Sequence, residues 1–461
     1  IVAGLIAANL RHFTVRTSHR ALVWFISVVS GSFVLLSAVY LAVGWSVRHQ
    51  FRPVATLSDL IVDLPQRFVP IGFLRLEHIS LLPVGPVSRF IYGWVGPAFW
   101  IVLLVAVMPV FFSERNRTSS SDRDRIEVLL AAGGGGTLGR MSTWNGNSYW
   151  FTPSGSVGIA YRVYSGVAIT TSDPIGPPEL LDAAVREFAT FCDDNGWTPV
   201  FYSVHEDLKP VFASMGWSSM TVGEETIVRP ESWSMQGKAW QDVRSSINRA
   251  ARLGVRAEWT SYRNLSIVAA AQLESISESW VAEKSLPEMG FTLGGLDELR
   301  DPAVALLLAI DDEDTIQGVT SWMPSYRDGE VIGWTLDFMR RSPASMNGVM
   351  EFLIASAALR MQQQGIEMMS LSAAPLAVSQ DSESDNGRTG RLLAFLARTL
   401  EPVYGFASLM VFKQKFQPEL RPLLMAYPDP LALPAIGFAL ARAYLPSMSL
   451  RQSIRFVRSL S

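Results

Sequence analysis

The sequence predicts a mixed α/β (α+β) protein in which two copies of one strand-and-helix unit follow N-terminal transmembrane helices. Three observations favour this fold class. Two long stretches near the N-terminus carry no charge, and strand and helix patterns alternate after about residue 126. A helix, a glycine and a buried strand also follow one another twice, around Gly196 and around Gly365. Alternating elements are typical of α/β folds, and their recurrence indicates an internal repeat.

Residues 1–112 are predicted to form a membrane region. Residues 21–46 and 90–112 are uncharged, and each stretch is long enough to cross a bilayer, which takes about 20 residues. A buried helix of a soluble protein is the alternative for each stretch. Residues 1–10 are apolar and begin without Met, so we expect them to be the end of a further, truncated span.

Charge is distributed unevenly along the chain. Residues 1–112 carry a net charge of +5 and the remaining residues carry −8, for a total of −3. Arginines flank the outer ends of both predicted spans, and the positive-inside bias makes their common side cytoplasmic. We therefore predict a multi-pass protein with a cytosolic globular part, which is acidic and would bind RNA only through a local basic patch. The flanking arginines are Arg11, Arg16, Arg20, Arg115, Arg117, Arg123 and Arg125.

Cysteine and histidine are scarce. Cys192 is the only cysteine, and of the five histidines only His205 lies beyond residue 112. A single thiol excludes an intramolecular disulfide. The counts also argue against a cysteine-based metal site and against a histidine-dependent triad in the globular part, so we expect no metal ion.

The globular part is predicted to begin near residue 126, after a polar, serine-rich linker at 113–125. The glycine run 133–136 is interpreted as flexible linker, because no Lys-Ser/Thr pair follows it. Near the C-terminus, the apolar stretch 431–445 is too short and broken to span a membrane and predicts a packing or interfacial helix. Hydrophobic periodicity predicts strands 157–164, 166–170, 199–204, 217–228, 367–371 and 407–416 and helices 178–194, 206–215 and 390–400.

One stretch of the second copy combines buried and charged residues. Residues 331–336 are apolar and β-branched, as in a strand, and residues 349–359 are apolar on nearly all sides, as in a buried helix. Asp337 and Arg340 lie between them, and Glu351 lies in the first turn of the helix. Charged groups in this position indicate a functional site. The alternative is a structural ion pair with an acid that stabilises the helix N-terminus.

A basic helix is predicted between the two copies, at 238–253. Lys238, Arg249 and Arg252 share one face of this helix, and Gly254 follows it as a C-cap glycine does. Such a face suits the phosphates of tRNA or an anionic lipid headgroup. A solvated surface without a ligand is the alternative.

Three motifs of the second copy occur in the order and spacing of a known family. They are DFMRRSPASMNGVMEFLIA from Asp337, LSAAPLA from Leu371 and FKQKFQP from Phe412. They resemble the C-terminal catalytic domain of the multiple peptide resistance factor family, which are lysyl- or alanyl-phosphatidylglycerol synthases. The resemblance extends over about residues 121–427, and it includes a charged segment ahead of the sequence GFTLG that ends at Gly294.

This resemblance implies a tandem of two GNAT-like N-acyltransferase folds, at 126–235 and 236–427, with a tail at 428–461. It also implies an enzyme of the bacterial cytoplasmic membrane. That enzyme would move an aminoacyl group, predicted to be lysyl, from aminoacyl-tRNA to phosphatidylglycerol. Aminoacyl-tRNA would be the co-substrate and no cofactor would be needed. The partners would be aminoacyl-tRNA, phosphatidylglycerol and the lipid bilayer.

The resemblance and the residue types together predict the site. Transfer from an aminoacyl ester requires removal of a proton from the acceptor hydroxyl, stabilisation of an oxyanion and a hold on the amino group. Asp337, Arg340 and Glu351 are predicted to be catalytic. On the predicted strand 407–416, two lysines would share one face by the period of two. The predicted substrate-binding residues are Lys413, Lys415, Ser372, Glu278, Glu283, Lys238, Arg249 and Arg252.

Two other functions stay open. A CoA-dependent N-acyltransferase of the same fold would need backbone amides for the pyrophosphate, and loop 342–348 is the candidate for them. An inactive, membrane-anchored binding module would need no such site. The segment 371–375 also departs from the family, which often has Met and Gly there, so the floor of the pocket is not predicted.

Overall fold

The computed structural model describes residues 19–69, 81–112, 120–282, 290–375 and 406–444. The chain divides into two compact units, Phe13–Arg115 and a second one that contains Asn116–Ser461. We call them the N-terminal unit and the globular unit.

Two long helices and one short helix form the N-terminal unit. The long helices pack against each other, and the short one packs on both. Among the described residues, Trp24–Ser46 and Pro86–Ala106 are long and apolar enough to cross a membrane. Both predicted spans are therefore confirmed as helices with the length and composition that a span needs. The elements are α1 (His19–Ser46), the paired two-residue strands β1 (Phe51–Arg52) and β2 (Leu82–Pro83), α2 (Leu57–Phe68) and α3 (Pro86–Phe112).

The connection between the two long helices contains a further helix, α2. It begins at a capping box: Thr56 Oγ1 accepts the Asp59 N–H at 3.2 Å, and Asp59 accepts the Thr56 N–H at 2.9 Å. On its inner face, buried Asp63 accepts hydrogen bonds from the Tyr40 hydroxyl and, at 3.1 Å, from Arg67. This polar cluster is compatible with burial because each charged group has a partner.

The globular unit is built on one sheet of eleven strands in the order β3-β4-β5-β6-β13-β7-β12-β11-β10-β9-β8. Its pairs are antiparallel except β5 with β6 and β11 with β12. The strands are β3 (Ser148–Phe151), β4 (Gly158–Tyr164), β5 (Val167–Thr170), β6 (Thr198–His205), β7 (Ser218–Val228), β8 (Arg256–Thr260), β9 (Ala305–Ile310), β10 (Ile316–Arg327), β11 (Glu330–Arg341), β12 (Met368–Pro375) and β13 (Glu419–Tyr427). The described helices are α4 (Ser120–Ala131), α5 (Pro178–Asp194), α6 (Lys209–Ser214), α7 (Gln241–Arg252), α8 (Ile267–Ala282), α9 (Val349–Gln363), α10 (Phe406–Gln414) and α11 (Leu433–Tyr444).

The sheet contains the predicted repeat. In each copy a crossover helix joins two parallel strands: α5 links β5 to β6, and α9 links β11 to β12. The last strands of the copies are exchanged, because β13 lies beside β6 of the first copy and β7 lies beside β12 of the second. The predicted fold class, a tandem of two GNAT-like folds after N-terminal apolar helices, is confirmed. The sheet contains strands from both sides of the predicted boundary at 235/236. The position of that boundary stays a prediction.

The predicted strand 407–416 is wrong: this segment forms helix α10, and the strand follows as β13. A short apolar run fits either element, and only its packing decides. Gln417, with φ +48°, and Pro418 after it end the helical turn. Lys413 and Lys415 therefore lie on different sides of a helix end and do not share a strand face. The predicted helix 390–400 lies outside the described residues.

Two predicted flexible segments are also ordered. Helix α4 begins at Ser120, within the predicted linker, and buries Ile126 and Leu130. In the glycine run, a Cβ on Gly134 would approach the Gly176 nitrogen to 2.5 Å, so the glycines allow two loops to touch. A polar segment can be a linker or the first turn of a helix, and a glycine run can be a linker or a close backbone contact. Composition alone does not distinguish these structures.

The tail contributes to the core of the globular unit. Helix α11 buries Ile436, Ala439 and Leu440 in one cluster with Tyr202 and Phe291. Of the two alternatives for the stretch 431–445, the packing helix is the one that the structure contains.

Candidate active site at the ends of two parallel strands

The site lies where the two parallel strands β11 and β12 stop pairing. Their register is Gly333 with Met368, Trp334 with Met369 and Thr335 with Ser370. Asp337 and Ser372 each lie two residues beyond the last pair, at the carboxyl ends of the pairing. In α/β sheets this is where ligands bind, because the loops diverge there.

Asp337 is held by a loop of the second copy. Its Oδ1 accepts the Gly294 N–H at 3.0 Å, and a Cβ on Gly294 would overlap its Oδ2. Glycine is therefore required in the GFTLG motif for the backbone to approach this carboxylate. Burial raises the pKa of Asp337 to about 7, against the opposing effect of the Gly294 hydrogen bond. The negative charge of Glu298 adds to the rise, and the positive charge of Arg340 lowers the pKa.

Arg340 is buried three residues further along β11, which extends beyond the predicted end of the strand at 336. The register with β10 shifts between Leu336 and Met339, so β11 has a bulge at Asp337 and Phe338. The guanidinium donates to Ser277, at 3.2 Å to its carbonyl oxygen, and lies over the rings of Trp280 and Phe338 at 4.4 and 4.3 Å. Arg340 thus acts on Asp337 through its charge, while the hydrogen bond to Asp337 comes from Gly294.

Ser372 forms a bulge that the sequence did not predict. It has φ +63°, and the register between β12 and β7 shifts between Ser370 and Ala373. Its carbonyl oxygen accepts hydrogen bonds from Lys413 Nζ at 3.0 Å and from Thr226 Oγ1 at 2.9 Å. Such backbone conformations cost about 1–3 kcal/mol and persist only where the surroundings hold them.

Lys413 is buried, with 3% of its surface exposed. Burial lowers the pKa of Lys413 to about 7, while the negative charge of Glu225 acts in the opposite direction. The site therefore contains a carboxyl and an ammonium group that both titrate near neutral pH, as acid–base catalysis requires.

A small cavity of about 20 Å³ lies beside the Ser372 bulge. It has room for about one water molecule. Ser372 and Thr292 line it from the second copy, and Ser203 lines it from the first. Ser203, with φ +56°, lies at a bulge of β6 against β13, which is the position in the first copy that Ser372 has in the second. The two bulges thus meet at one cavity between the exchanged strands.

Glu351 and Lys415 form an ion pair with each other. Lys415 Nζ lies 2.8 Å from Glu351 Oε1 at the start of α9, and 3.9 Å from Asp242 on α7. This contact joins the start of α9 and the start of α7 to the residue that follows α10. Their predicted catalytic and binding roles stay predictions.

The remaining predicted residues are dispersed. Glu278 is exposed on α8, and Glu283 lies outside the described residues. Arg249 donates to the Asn347 carbonyl oxygen at 2.8 Å and so holds the loop before α9. Lys238 is exposed, and so is Arg252, whose Nε donates to the Asn248 carbonyl oxygen of its own helix at 3.3 Å. Lys238 and Arg252 are thus the exposed members of the basic face, and their binding role stays a prediction.

Sequence reasoning missed a charged cluster around His205. Its Nδ1 lies 2.5 Å from Asp173 Oδ2, and its Nε2 lies 2.9 Å from Glu225 Oε2. The scarcity of histidine had argued against histidine-dependent chemistry, but scarcity says nothing about the partners of a single ring. The signal was present in β7, where two adjacent acids, Glu224 and Glu225, lie within a strand and are both buried.

The fold and the site together define a protein of the tandem GNAT-like acyltransferase class. Its exchanged last strands bring both copies to one cavity. Residues 127–427 match the phosphatidylglycerol lysyltransferase C-terminal family, and the chain belongs to this family. The resemblance inferred from the three motifs is thereby confirmed.

Similar proteins agree with this assignment. An uncharacterised protein of Corynebacterium glutamicum is 35% identical over 448 residues, which cover 96% of this chain and 56% of that protein. The lysylphosphatidylglycerol biosynthesis bifunctional protein LysX of Mycobacterium marinum is 28% identical over 407 residues, or 87% of this chain and 36% of LysX. The chain thus spans between about a third and a little over half of these relatives' length.

Two solved structures share the fold. L-PGS from Bacillus licheniformis is 23% identical with a TM-score of 0.62, covering 71% of this chain and 98% of that one. The C-terminal domain of a putative lysylphosphatidylglycerol synthetase from Agrobacterium fabrum is 22% identical with a TM-score of 0.61, covering 72% and 99%.

Proposed function

We propose that this chain carries the catalytic part of a membrane-bound aminoacyltransferase that moves a lysyl group from aminoacyl-tRNA to phosphatidylglycerol. The observation that carries the proposal is that Asp337 lies at the end of β11 while the ammonium of Lys413, from α10, binds the Ser372 carbonyl oxygen at the end of β12, each with a pKa near 7. Family membership supplies the lipid product class. The chain would be a multi-pass protein of the bacterial cytoplasmic membrane with a cytosolic globular unit.

The reaction is a transesterification. Asp337 in its ionised form takes the proton of a glycerol hydroxyl of phosphatidylglycerol, and the oxygen attacks the carbonyl carbon of the aminoacyl ester. The ammonium of Lys413 stabilises the resulting oxyanion. Collapse breaks the ester bond to the tRNA ribose, whose oxygen receives the proton from Asp337. The donor ester is already activated, so neither a covalent enzyme intermediate nor a metal ion is needed.

Arg340 supports Asp337 in this scheme. Its positive charge lowers the pKa of the carboxyl, which burial alone would raise further. The lysyl ammonium of the donor requires acidic partners, and Glu278 and Glu283 remain the proposed candidates. Glu278 is not among the residues that line the cavity described above.

The hydrogen bonds of loop 342–348 weigh against the CoA-dependent alternative. Four of its N–H groups have partners within the protein, including that of Ala344, which donates to the Ser342 hydroxyl at 3.3 Å. The Ser342 and Met346 N–H groups donate to Gln317, at 3.0 and 3.1 Å, and the Ser345 N–H donates to the Ser342 carbonyl oxygen at 3.0 Å. A pyrophosphate would have to break these bonds. The inactive-module alternative is decided by experiment.

Expression of the chain in a bacterium that lacks aminoacylated lipids tests the function. With labelled lysine we expect a labelled, cationic phosphatidylglycerol on thin-layer plates, because the proposed reaction attaches lysine by an ester. Membranes incubated with lysyl-tRNA should form the same lipid, and ribonuclease treatment should prevent it. Labelled alanine or arginine in the lipid would contradict the lysyl assignment. Transfer of label from acetyl-CoA without aminoacyl lipid would support the CoA-dependent alternative.

The exposed part of the basic helix provides a second test. Changing Lys238 and Arg252 to Glu should weaken binding of tRNA or of vesicles rich in phosphatidylglycerol, and the loss should shrink as salt is raised. The double variant Lys209→Glu, Arg300→Glu makes the same change in net charge at two other exposed residues. Filter binding at low salt separates the two. Equal affinity for both double variants would show that this helix face is solvated surface.

A further inference from the structure

A chain of ionic contacts connects the first copy to the site in the second. Asp173 follows β5, His205 ends β6, and Glu225 lies in β7, so all three belong to the first copy. Asp173 accepts from the backbone N–H of His205 at 2.9 Å and from its ring at 2.5 Å, and Glu225 faces the other ring nitrogen at 2.9 Å. With an acceptor on each nitrogen, both nitrogens must carry protons, which makes the ring an imidazolium.

The carboxylates of Asp173 and Glu225 explain why the His205 ring stays protonated although it is largely buried. Burial alone would lower the pKa of His205, but the charges and hydrogen bonds of Asp173 and Glu225 raise it well above its usual value. The same contact acts on Glu225. Burial would raise its pKa, but the hydrogen bonds from His205 and Ser370 lower it below its usual value. A buried carboxylate stays ionised only with such partners.

Glu225 and its neighbour in β7 then hold the bulge of the second copy. Glu225 Oε1 accepts the Ser370 hydroxyl at 2.5 Å, and Ser370 Oγ accepts the Ser372 N–H at 3.0 Å. Thr226 Oγ1 donates to the Ser372 carbonyl oxygen at 2.9 Å, beside the bond from Lys413 at 3.0 Å. Both backbone groups of Ser372 are therefore fixed through β7.

We propose that His205 and Glu225 are positioning residues: the imidazolium keeps Glu225 ionised and in place, and Glu225 in turn fixes the Ser372 bulge and the ammonium of Lys413. The first copy thus sets the geometry and the charge of the site in the second. The exchange of strands makes this possible, because it places β7 directly against β12. The kinetic part of the proposal rests on the proposed function, and the spectroscopic part does not.

The spectroscopic test is practical because the chain contains few histidines and lysines whose signals must be assigned. The chain has five histidines and five lysines, so side-chain signals of selectively labelled protein can be followed by NMR in detergent micelles. The variants His205→Gln and Lys413→Met assign one signal each. In the parent, the His205 ring should stay protonated at pH values where an ordinary histidine, with a pKa of about 6.5, has lost its proton. In Glu225→Gln, the pKa values of both His205 and Lys413 should fall, because each loses the same negative charge.

The outcomes that overturn the inference are direct. If His205 of the parent titrates like an exposed histidine, its ring is not held as an imidazolium by Asp173 and Glu225. An unchanged titration of Lys413 in Glu225→Gln would remove the link to the site. Both results are obtained without any transfer assay, so they do not depend on whether the chain moves an aminoacyl group.

The kinetic test separates positioning from simple stabilisation. Glu225→Gln and His205→Gln should each lower kcat about 10- to 100-fold with little change in KM, because the substrates do not touch these residues. Both should shift the basic limb of the pH profile to lower pH, since Lys413 loses its proton more easily. The double variant should be no worse than the single ones, as expected for one connected chain.

Asp301→Asn is the matched control. It removes the charge from another buried ion pair, Arg140–Asp301, whose atoms lie 2.6 Å apart with 6% of each side chain exposed. It should lower the thermal midpoint and leave the pH profile unchanged. If Glu225→Gln and His205→Gln behave in the same way as Asp301→Asn, the cluster is structural only and the inference is wrong.

Discussion

Asp337→Asn is expected to slow aminoacyl transfer by about 10²–10⁴-fold, the loss typical of a positioned acid–base group, while the folded protein becomes no less stable. Asn keeps the size of the side chain and an oxygen that accepts the Gly294 N–H. Because burial raises the pKa of Asp337 in the folded state to about 7, its stabilising contribution is present at low pH and is lost as pH rises through about 7. The neutral amide avoids this loss, so the thermal midpoint near pH 8 should equal or exceed that of the parent.

Single-turnover transfer from lysyl-tRNA and thermal melting on the same preparations measure both effects. Asp311→Asn is a useful comparison. Asp311 accepts hydrogen bonds from the backbone N–H groups of Glu313 and Thr315, at 3.0 and 2.9 Å, in the turn between β9 and β10. This variant should melt at lower temperature and transfer at the parental rate. An Asp337→Asn protein that melts early but transfers normally would assign Asp337 a structural role.

Lys413→Met should lower transfer by about 10²-fold, as the loss of one oxyanion-stabilising group does, and should change the shape of the pH profile. In the parent, the rate should rise as Asp337 ionises and fall as Lys413 loses its proton, both near pH 7. Without the lysine, the fall at high pH should disappear. The proposed step needs Asp337 ionised and Lys413 protonated at once, so the two limbs bound the pH range in which both forms are present.

Lys413→Met should make the folded protein more stable although it slows transfer. The pKa of Lys413 is lowered in the folded state, so its favourable contribution is present at high pH and is lost as pH falls toward about 7. Lys413→Met should therefore raise the thermal midpoint most clearly below about pH 7. Lys415→Met breaks the contact with Glu351 and should lower the midpoint instead. A Lys413→Met enzyme that keeps both limbs of the pH profile would exclude Lys413 from the proposed chemistry.

Several elements could be predicted because their residues carry the necessary information locally. Helix α5 has the predicted bounds, 178–194, since an amphipathic period of 3.6 lies between Pro178 at its start and Gly196 after its end. The two apolar helices of the N-terminal unit follow from length and lack of charge alone. The three motifs also identified the family, because they preserve residue order and spacing across the second copy.

The errors have a common cause. The segment 407–416 is apolar over a length that suits a strand or a helix, and its environment in the globular unit makes it α10. The glycine run 133–136 has the composition of a linker, but it packs against Gly176, about 40 residues away in the chain. Composition describes a segment by itself, whereas these outcomes depend on what lies next to it.

By itself, the sequence determined the class of fold, the family and the residue types available for catalysis. Only the tertiary structure decided how they act. Asp337 receives its hydrogen bond from Gly294, and Glu225 of the first copy meets Ser370 of the second, 145 positions away in sequence. A pKa is set by burial and by nearby charges, and exchanged strands bring these together from distant parts of the chain. For this reason the sequence alone did not reveal the role of His205. Its contacts with Glu225, and those of Glu225 with the Ser372 bulge, connect it to Lys413.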